Sequence, residues 1–181
     1  PHGGSVAKLL KKPADQLCAN CHQRLMTIAD KATVHPPFES GECTTCHQVH
    51  ASSQKHLLTQ TTGELCATCH SDITDAFKTA KVVHQPAAKG DCAACHNPHQ
   101  SPNKKLLLAN TGALCVSCHT DIDKAVKSAH PHSPAAAGNC LDCHSPHSSD
   151  NAYLLKQGVP QTCLVCHDGD SKDFTAKHMN Q

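Results

Sequence analysis

The amino-acid sequence predicts a mostly irregular chain with short α-helices and little or no β-sheet. It is read as an extended tandem repeat packed around covalently attached groups instead of an apolar core. Three observations predict this. A CxxCH run occurs seven times and uses all fourteen cysteines. The first cysteines of the runs, at 18, 43, 66, 92, 115, 140 and 163, are separated by steps of 25, 23, 26, 23, 25 and 23. And 181 residues contain only three Phe, one Tyr and no Trp, so the large side chains that fill protein interiors are missing.

The runs carry the chemistry. CANCH supplies Cys18, Cys21 and His22; CTTCH supplies Cys43, Cys46 and His47; CATCH supplies Cys66, Cys69 and His70. CAACH follows with Cys92, Cys95 and His96, then CVSCH with Cys115, Cys118 and His119. CLDCH adds Cys140, Cys143 and His144, and CLVCH adds Cys163, Cys166 and His167. Two thiols at this spacing can add to the two vinyl groups of one haem, and the imidazole that follows is placed to bind its iron as the proximal ligand. A disulfide framework accounts for an even count of cysteines but not for a His after every pair. Zinc uses CxxC pairs too, but seven pairs each followed directly by His, with no stray Cys, weigh against both readings. The expectation is seven haem c.

Composition agrees. With about 26 residues for each haem, no apolar core can be built per site, and the porphyrins must form the interior. Covalent attachment would then stabilise the fold as structural metals do in small scaffolds, leaving the apoprotein largely unfolded. The formal net charge is +1, which haem propionates would turn acidic, and no basic nucleic-acid footprint is present. No run of 18 apolar residues exists, so no membrane span is predicted. Haem attachment of this type takes place outside the cytoplasm, so a leader is expected to have been removed.

The alternating steps make the true repeat a haem pair every 48 or 49 residues, with approximate repeats 1–49, 50–98 and 99–146, a partial one at 147–181, and the whole of 1–181 as a single array. Three of the four first-kind motifs follow Leu, as in GELCATCH and GALCVSCH, and precede a helical pattern: Leu25, Ile28, Ala29, Ala32; Ile73, Ala76, Phe77, Ala80; Ile122, Ala125, Val126, Ala129. Three short amphipathic helices are expected there. Second-kind motifs sit in Pro- and Gly-containing stretches, HPPFESGECTTCHQVH, HQPAAKGDCAACHNPH and HSPAAAGNCLDCHSPH, whose approaches should be extended or turning loops. A Leu pair follows each: Leu57-Leu58, Leu106-Leu107, Leu154-Leu155. The N-terminus matches the same template, so Pro1 and His2 occupy the end of a unit whose CxxCH is missing. Either the natural chain is longer or its mature N-terminus falls at a repeat boundary.

Of 17 His, ten are not proximal. His35, His84 and His132 each stand at i−8 from the first Cys of a second-kind motif, and His2, His50, His99 and His147 each stand at i−16 from that of a first-kind motif. These seven are the expected distal ligands. His50, His99 and His147 lie at the third position after a proximal His and cannot reach the opposite face of the same porphyrin, so each must serve another haem, the next in the chain being the simplest choice. A rival scheme replaces His2 by His178 and gives first-kind motifs a downstream ligand at offsets of 13, 14, 13 and 11, which is less regular. His56 and His130 fall off the template and are read as solvent-facing. Met26 is read as packing.

The pattern of His, seven residues, then CxxCH with another His close behind resembles the cytochrome c3 group. The resemblance implies that the leading His ligates its own motif's haem, that the trailing His serves the next, and that the haems are bis-histidine, low-spin and in close contact. The trailing His lies at the third position after the proximal His here, not adjacent. The alternation is similar to that of doubled-CxxCH multihaem c-type cytochromes, which gives the fold class as a haem-packed multihaem cytochrome c.

Two imidazoles on each iron leave no position for substrate, so electron transfer is expected and catalysis is not. The reading favoured by the quasi-linear repeat is a subunit of an extracellular conductive filament, with other copies of the chain, redox partner proteins or extracellular electron acceptors as partners. A discrete periplasmic carrier feeding a reductase is the alternative. A multihaem reductase would need a motif lacking His or a distal ligand, and none of the seven departs from CxxCH.

Overall fold

The computed structural model describes residues 6–169 and 171. Among them the chain forms twelve short α-helices, five 3-10 turns and four two-residue strands, and none of its helices is long and apolar enough to cross a membrane. No hydrophobic side chain is buried among the described residues. The polypeptide exposes 13394 Å², where a compact monomer of 19.2 kDa would expose about 8,400 Å². The described residues therefore build no apolar core of their own.

Each repeat runs through the same succession. A leading His N-caps a single helical turn, α3 (Pro36–Glu39), α7 (Gln85–Ala88) or α10 (Ser133–Ala136). These stretches were expected as loops. They close one turn because Pro sits at the first or second helical position, where its missing N–H has no intrahelical partner to lose. A glycine in the left-handed region, Gly41, Gly90 or Gly138, then turns the chain into the second-kind motif at Cys43–Cys46 (α4), Cys92–Ala94 or Cys140–Cys143 (α11). First-kind motifs lie at the ends of α1 (Ala14–Ala19), α5 (Thr62–Ala67), α8 (Thr111–Val116) and α12 (Gln161–Leu164). Thr61 and Glu64 form a reciprocal capping box on α5, and Asn110 caps α8.

The helical patterns after the first-kind motifs are realised unequally. α6 (Ser71–Thr79) and α9 (Thr120–Val126) carry most of the expected positions. The pattern from Leu25 to Ala32 stops after one turn in α2 (Gln23–Met26). There the Gln100 side-chain amide donates to the carbonyls of Leu25 and Thr27 at 2.9 and 3.0 Å, taking acceptors that a longer helix would use, and Lys31 adopts positive φ.

Two antiparallel strand pairs lock the repeats together. β1 (Thr33–Val34) pairs with β3 (Gln100–Ser101), and β2 (Val82–Val83) pairs with β4 (Ser148–Ser149). Each joins the strand ahead of a leading His to the strand behind a trailing His two repeats later. Behind each trailing His a serine closes the next loop: Ser101 Oγ donates to the Leu107 carbonyl and accepts from the Asn103 N–H, and Ser52 and Ser149 do the same in their repeats.

Candidate haem sites

The strand pairs determine which histidines meet. The N–H of His35 donates to the His99 carbonyl, and that of His84 to the His147 carbonyl, both at 2.9 Å. Distal candidates thus come in doublets, one leading and one trailing, whose imidazoles diverge to separate partners. His35 stacks against His70 with ring centres 6.2 Å apart, His84 against His119 at 6.0 Å, and His132 against His167 at 6.1 Å. His99 stacks against His47 and His147 lies against His96, both at 6.0 Å.

This register corrects the expected one. The leading His does not face the proximal His of the second-kind motif that follows it; His35, His84 and His132 face the next first-kind His, at i+35 in each case. The trailing His turns back to the second-kind motif two repeats earlier, His99 to His47 and His147 to His96, and not to the next motif in the chain. The rival scheme fails likewise, since it assigns His35 to His22. Equal spacing marks equal roles, but the strand pairing decides which face each ring reaches. His2 and His178 lie outside the described residues. Among the described residues His22, His50 and His144 have no stacked imidazole.

The pair geometry fits iron between two imidazoles. A metal-bound imidazole nitrogen lies about 2 Å from the metal and its ring centre roughly 1 Å further, so two axial rings place their centres about 6 Å apart. Each site brings only two imidazoles together, and no group of three or more His, Cys, Asp or Glu side chains converges among the described residues as a bare ion would require. Four equatorial positions are thereby left to a macrocycle. All fourteen cysteines are free of disulfides.

Local structure prepares the ligands. Burial, then the neighbouring His47, holds the His99 imidazole below its ordinary pKa, and burial, then His96, does the same for His147. Both rings are therefore neutral near pH 7, the form that binds metal. On the proximal side Nδ1 of His47, His96 and His144 bonds the carbonyl of His56, Lys105 and Tyr153 at 2.9, 2.8 and 2.9 Å. That bond places the proton on Nδ1 and leaves Nε2 for iron. The three acceptors all sit at left-handed φ of 56–57° without being glycine, a strained conformation that aims the carbonyl at the ring. Sequence reasoning set His56 aside, yet its backbone orients a proximal ligand. The recurrent Leu-Leu that follows each acceptor was the available signal.

The thiols of successive motifs are neighbours. Burial first, and then Cys92, pushes the Cys66 thiol up to about 11, and burial with Cys140 does the same to Cys115. Cys43 is raised by burial and then by Cys18, Cys46 by burial and then Cys69, and Cys95 by burial and then Cys118. From the first motif to the sixth, each pair of consecutive motifs has sulfurs in electrostatic contact. Asp142 of the sixth motif lines one cavity with Thr162 and Val165, which flank Cys163 and Cys166 of the seventh. On attachment these sulfurs become neutral thioethers that no longer titrate.

Repeated CxxCH motifs with imidazoles stacked at iron-binding separation define a multihaem c-type cytochrome, an extracytoplasmic electron-transfer protein holding haem covalently. The family described as doubled CXXCH motif matches residues 1–27, 35–75, 84–124 and 132–172, and the chain belongs to it. The last three matches each run from a leading His to just past the first-kind His that it faces. No curated protein matches the chain.

Proposed function

We propose that the chain carries seven haem c along residues 1–181 as a single array and conducts electrons through them as a subunit of an extracellular conductive filament. The proximal ligands are His22, His47, His70, His96, His119, His144 and His167, and His35, His84, His99, His132 and His147 are distal. Bound haem supplies a reversible one-electron iron couple. The residues do the rest: paired imidazoles would hold five of the seven irons on both faces and leave no site for substrate there, and on this reading the role is conduction and not catalysis. Bis-histidine ligation favours lower potentials than Met/His ligation.

The observation that carries this reading is the succession of neighbouring motif sulfurs from the first motif to the sixth. Each sulfur would be bonded to a porphyrin edge, so sulfurs in contact bring consecutive macrocycles within reach of direct electron transfer. Redox partner proteins or extracellular electron acceptors would exchange electrons at the ends of the array. Two measurements test it. Intact mass should show seven covalent haems, and electron microscopy of the purified protein should show long filaments with a repeating subunit. Fewer haems would break the continuous path. Discrete particles would make the protein a periplasmic carrier.

A further inference from the structure

The two kinds of motif hold their proximal imidazoles differently. His47 and His96, of the second kind, each bond through Nδ1 to a backbone carbonyl, that of His56 or Lys105. His70 and His119, of the first kind, N-cap α6 and α9 instead, and their exposed rings make no hydrogen bond among the described residues. These four proximal rings belong to four consecutive motifs, and each faces a second imidazole. Along this run a bonded ring alternates with an unbonded one.

The carbonyl that meets each bonded ring is held in place. In both loops two consecutive residues are left-handed, His56-Leu57 at φ 57° and 55° and Lys105-Leu106 at 57° and 58°. The N–H after the proximal His donates to the carbonyl of the second of them, Gln48 to Leu57 at 2.6 Å and Asn97 to Leu106 at 2.7 Å. The carbonyl of the motif's second Cys accepts from the far side of the loop, Cys46 from Thr59 and Cys95 from Leu108, both at 2.9 Å. Those bonds close the loop without the imidazole, so what the Nδ1 bond adds is felt by the ring. A fixed acceptor draws the Nδ1 proton outward and makes Nε2 a stronger donor to iron. At His70 and His119 the available acceptor is solvent, which reorients. A stronger donor favours the oxidised metal, so hydrogen bonding to the ligand lowers the potential.

We infer that these carbonyls divide the array into two redox classes, with the haems of His47 and His96 lower in potential than those of His70 and His119. The inference rests on the reading that these four motifs carry haem. Electrons entering the oxidised run settle first at the His70 and His119 sites. The His96 site lies between them and stays oxidised, so two added charges do not sit side by side and repel less. His56 and Lys105 are thus positioning residues that act through their backbone. Partners of this kind are worth about tenfold or more at metal sites, and a tenfold change in a one-electron equilibrium is about 59 mV.

The test is potentiometric titration of the intact holoprotein followed by its visible spectrum, with intact mass as a separate count of haems. Wild type should titrate in two groups, with at least two haems in the lower one. Lys105→Pro cannot hold φ 57°, and the Lys105 N–H donates no backbone bond among the described residues that proline would remove. That variant should move one haem equivalent out of the lower group and up by about 59 mV, with haem content unchanged. His56→Pro should move a second. Lys105→Gly, which keeps the turn, should titrate as wild type. A single group in wild type, proline variants with unchanged or lowered potentials, a shift drawn from the higher group, or an equal shift in Lys105→Gly would each overturn the inference. Where one proline variant fails to load haem, the other and the wild-type grouping decide. A wild-type mass short of haem at these four motifs overturns the underlying reading instead.

Discussion

Gly63→Ala probes how closely consecutive motifs must approach. Gly63 lies in α5, and a Cβ built there would meet the Cα of Gly90 at 2.8 Å, with the Gly90 carbonyl oxygen at 3.5 Å. Contact between carbon atoms is optimal at about 3.5–4.0 Å, so the two backbones would have to part by roughly 1 Å. Helix propensity alone favours alanine here by about 0.8–1.0 kcal/mol. Overpacking costs typically about 1–3 kcal/mol, and the obstructing atom is backbone that no rotamer change can move, so the clash wins. The expected net loss is up to about 2 kcal/mol, which for a chain of this length lowers the melting temperature by up to roughly 8 °C. The assay is thermal unfolding of the holoprotein, with Gly158→Ala as the control, because the nearest atom there is Asn151 Oδ1 at 3.5 Å. Gly112→Ala, whose Cβ would lie 2.8 Å from the Gly138 Cα, should repeat the loss. If Gly63→Ala melts at or above the parent, the close packing of the Cys66 and Cys92 motifs is not a constraint.

Three further outcomes follow from the same geometry. His99→Ala should convert one haem to high spin, and because His99 faces His47, adding His47→Ala should leave a single perturbed haem while adding His119→Ala should perturb two; the reverse count by magnetic circular dichroism would restore the register expected from spacing. Ser101→Ala removes the only buried polar side chain among the described residues, 3% exposed, and strands the Asn103 N–H; it should cost about 1–3 kcal/mol and speed hydrogen exchange at Asn103. Lys105→Gly, at φ 57°, should stabilise the holoprotein by up to about 1 kcal/mol, since relief of left-handed strain outweighs the added freedom of the unfolded chain; a lower melting temperature would show that the lysine side chain matters there.

The attachment chemistry was legible in the sequence because CxxCH is local: thiols and imidazole sit within one short run and need no tertiary information. The doubling of the repeat and the two classes of remaining histidine were legible for the same reason. Partner choice was not. It depends on two-residue strands, Thr33-Val34 against Gln100-Ser101 and Val82-Val83 against Ser148-Ser149, which are too short to leave a period in the sequence and which join segments lying in different repeats. The left-handed acceptors were hidden too, since His56, Lys105 and Tyr153 share a conformation but no side-chain chemistry.

The corrected register changes what a repeat is. Under the expected pairing a repeat could complete its own second-kind site, with His35 serving the haem of His47. In the structure it can complete neither kind by itself: His47 faces a His from the repeat after next, and His35 is held by that repeat's backbone while its ring turns to His70 of the repeat between. Each strand pair therefore secures two iron sites at once, and loss of one trailing segment opens one site and unpins the ring of another. Stability in such an array grows with each added neighbour, as in repeat proteins whose units bury little alone.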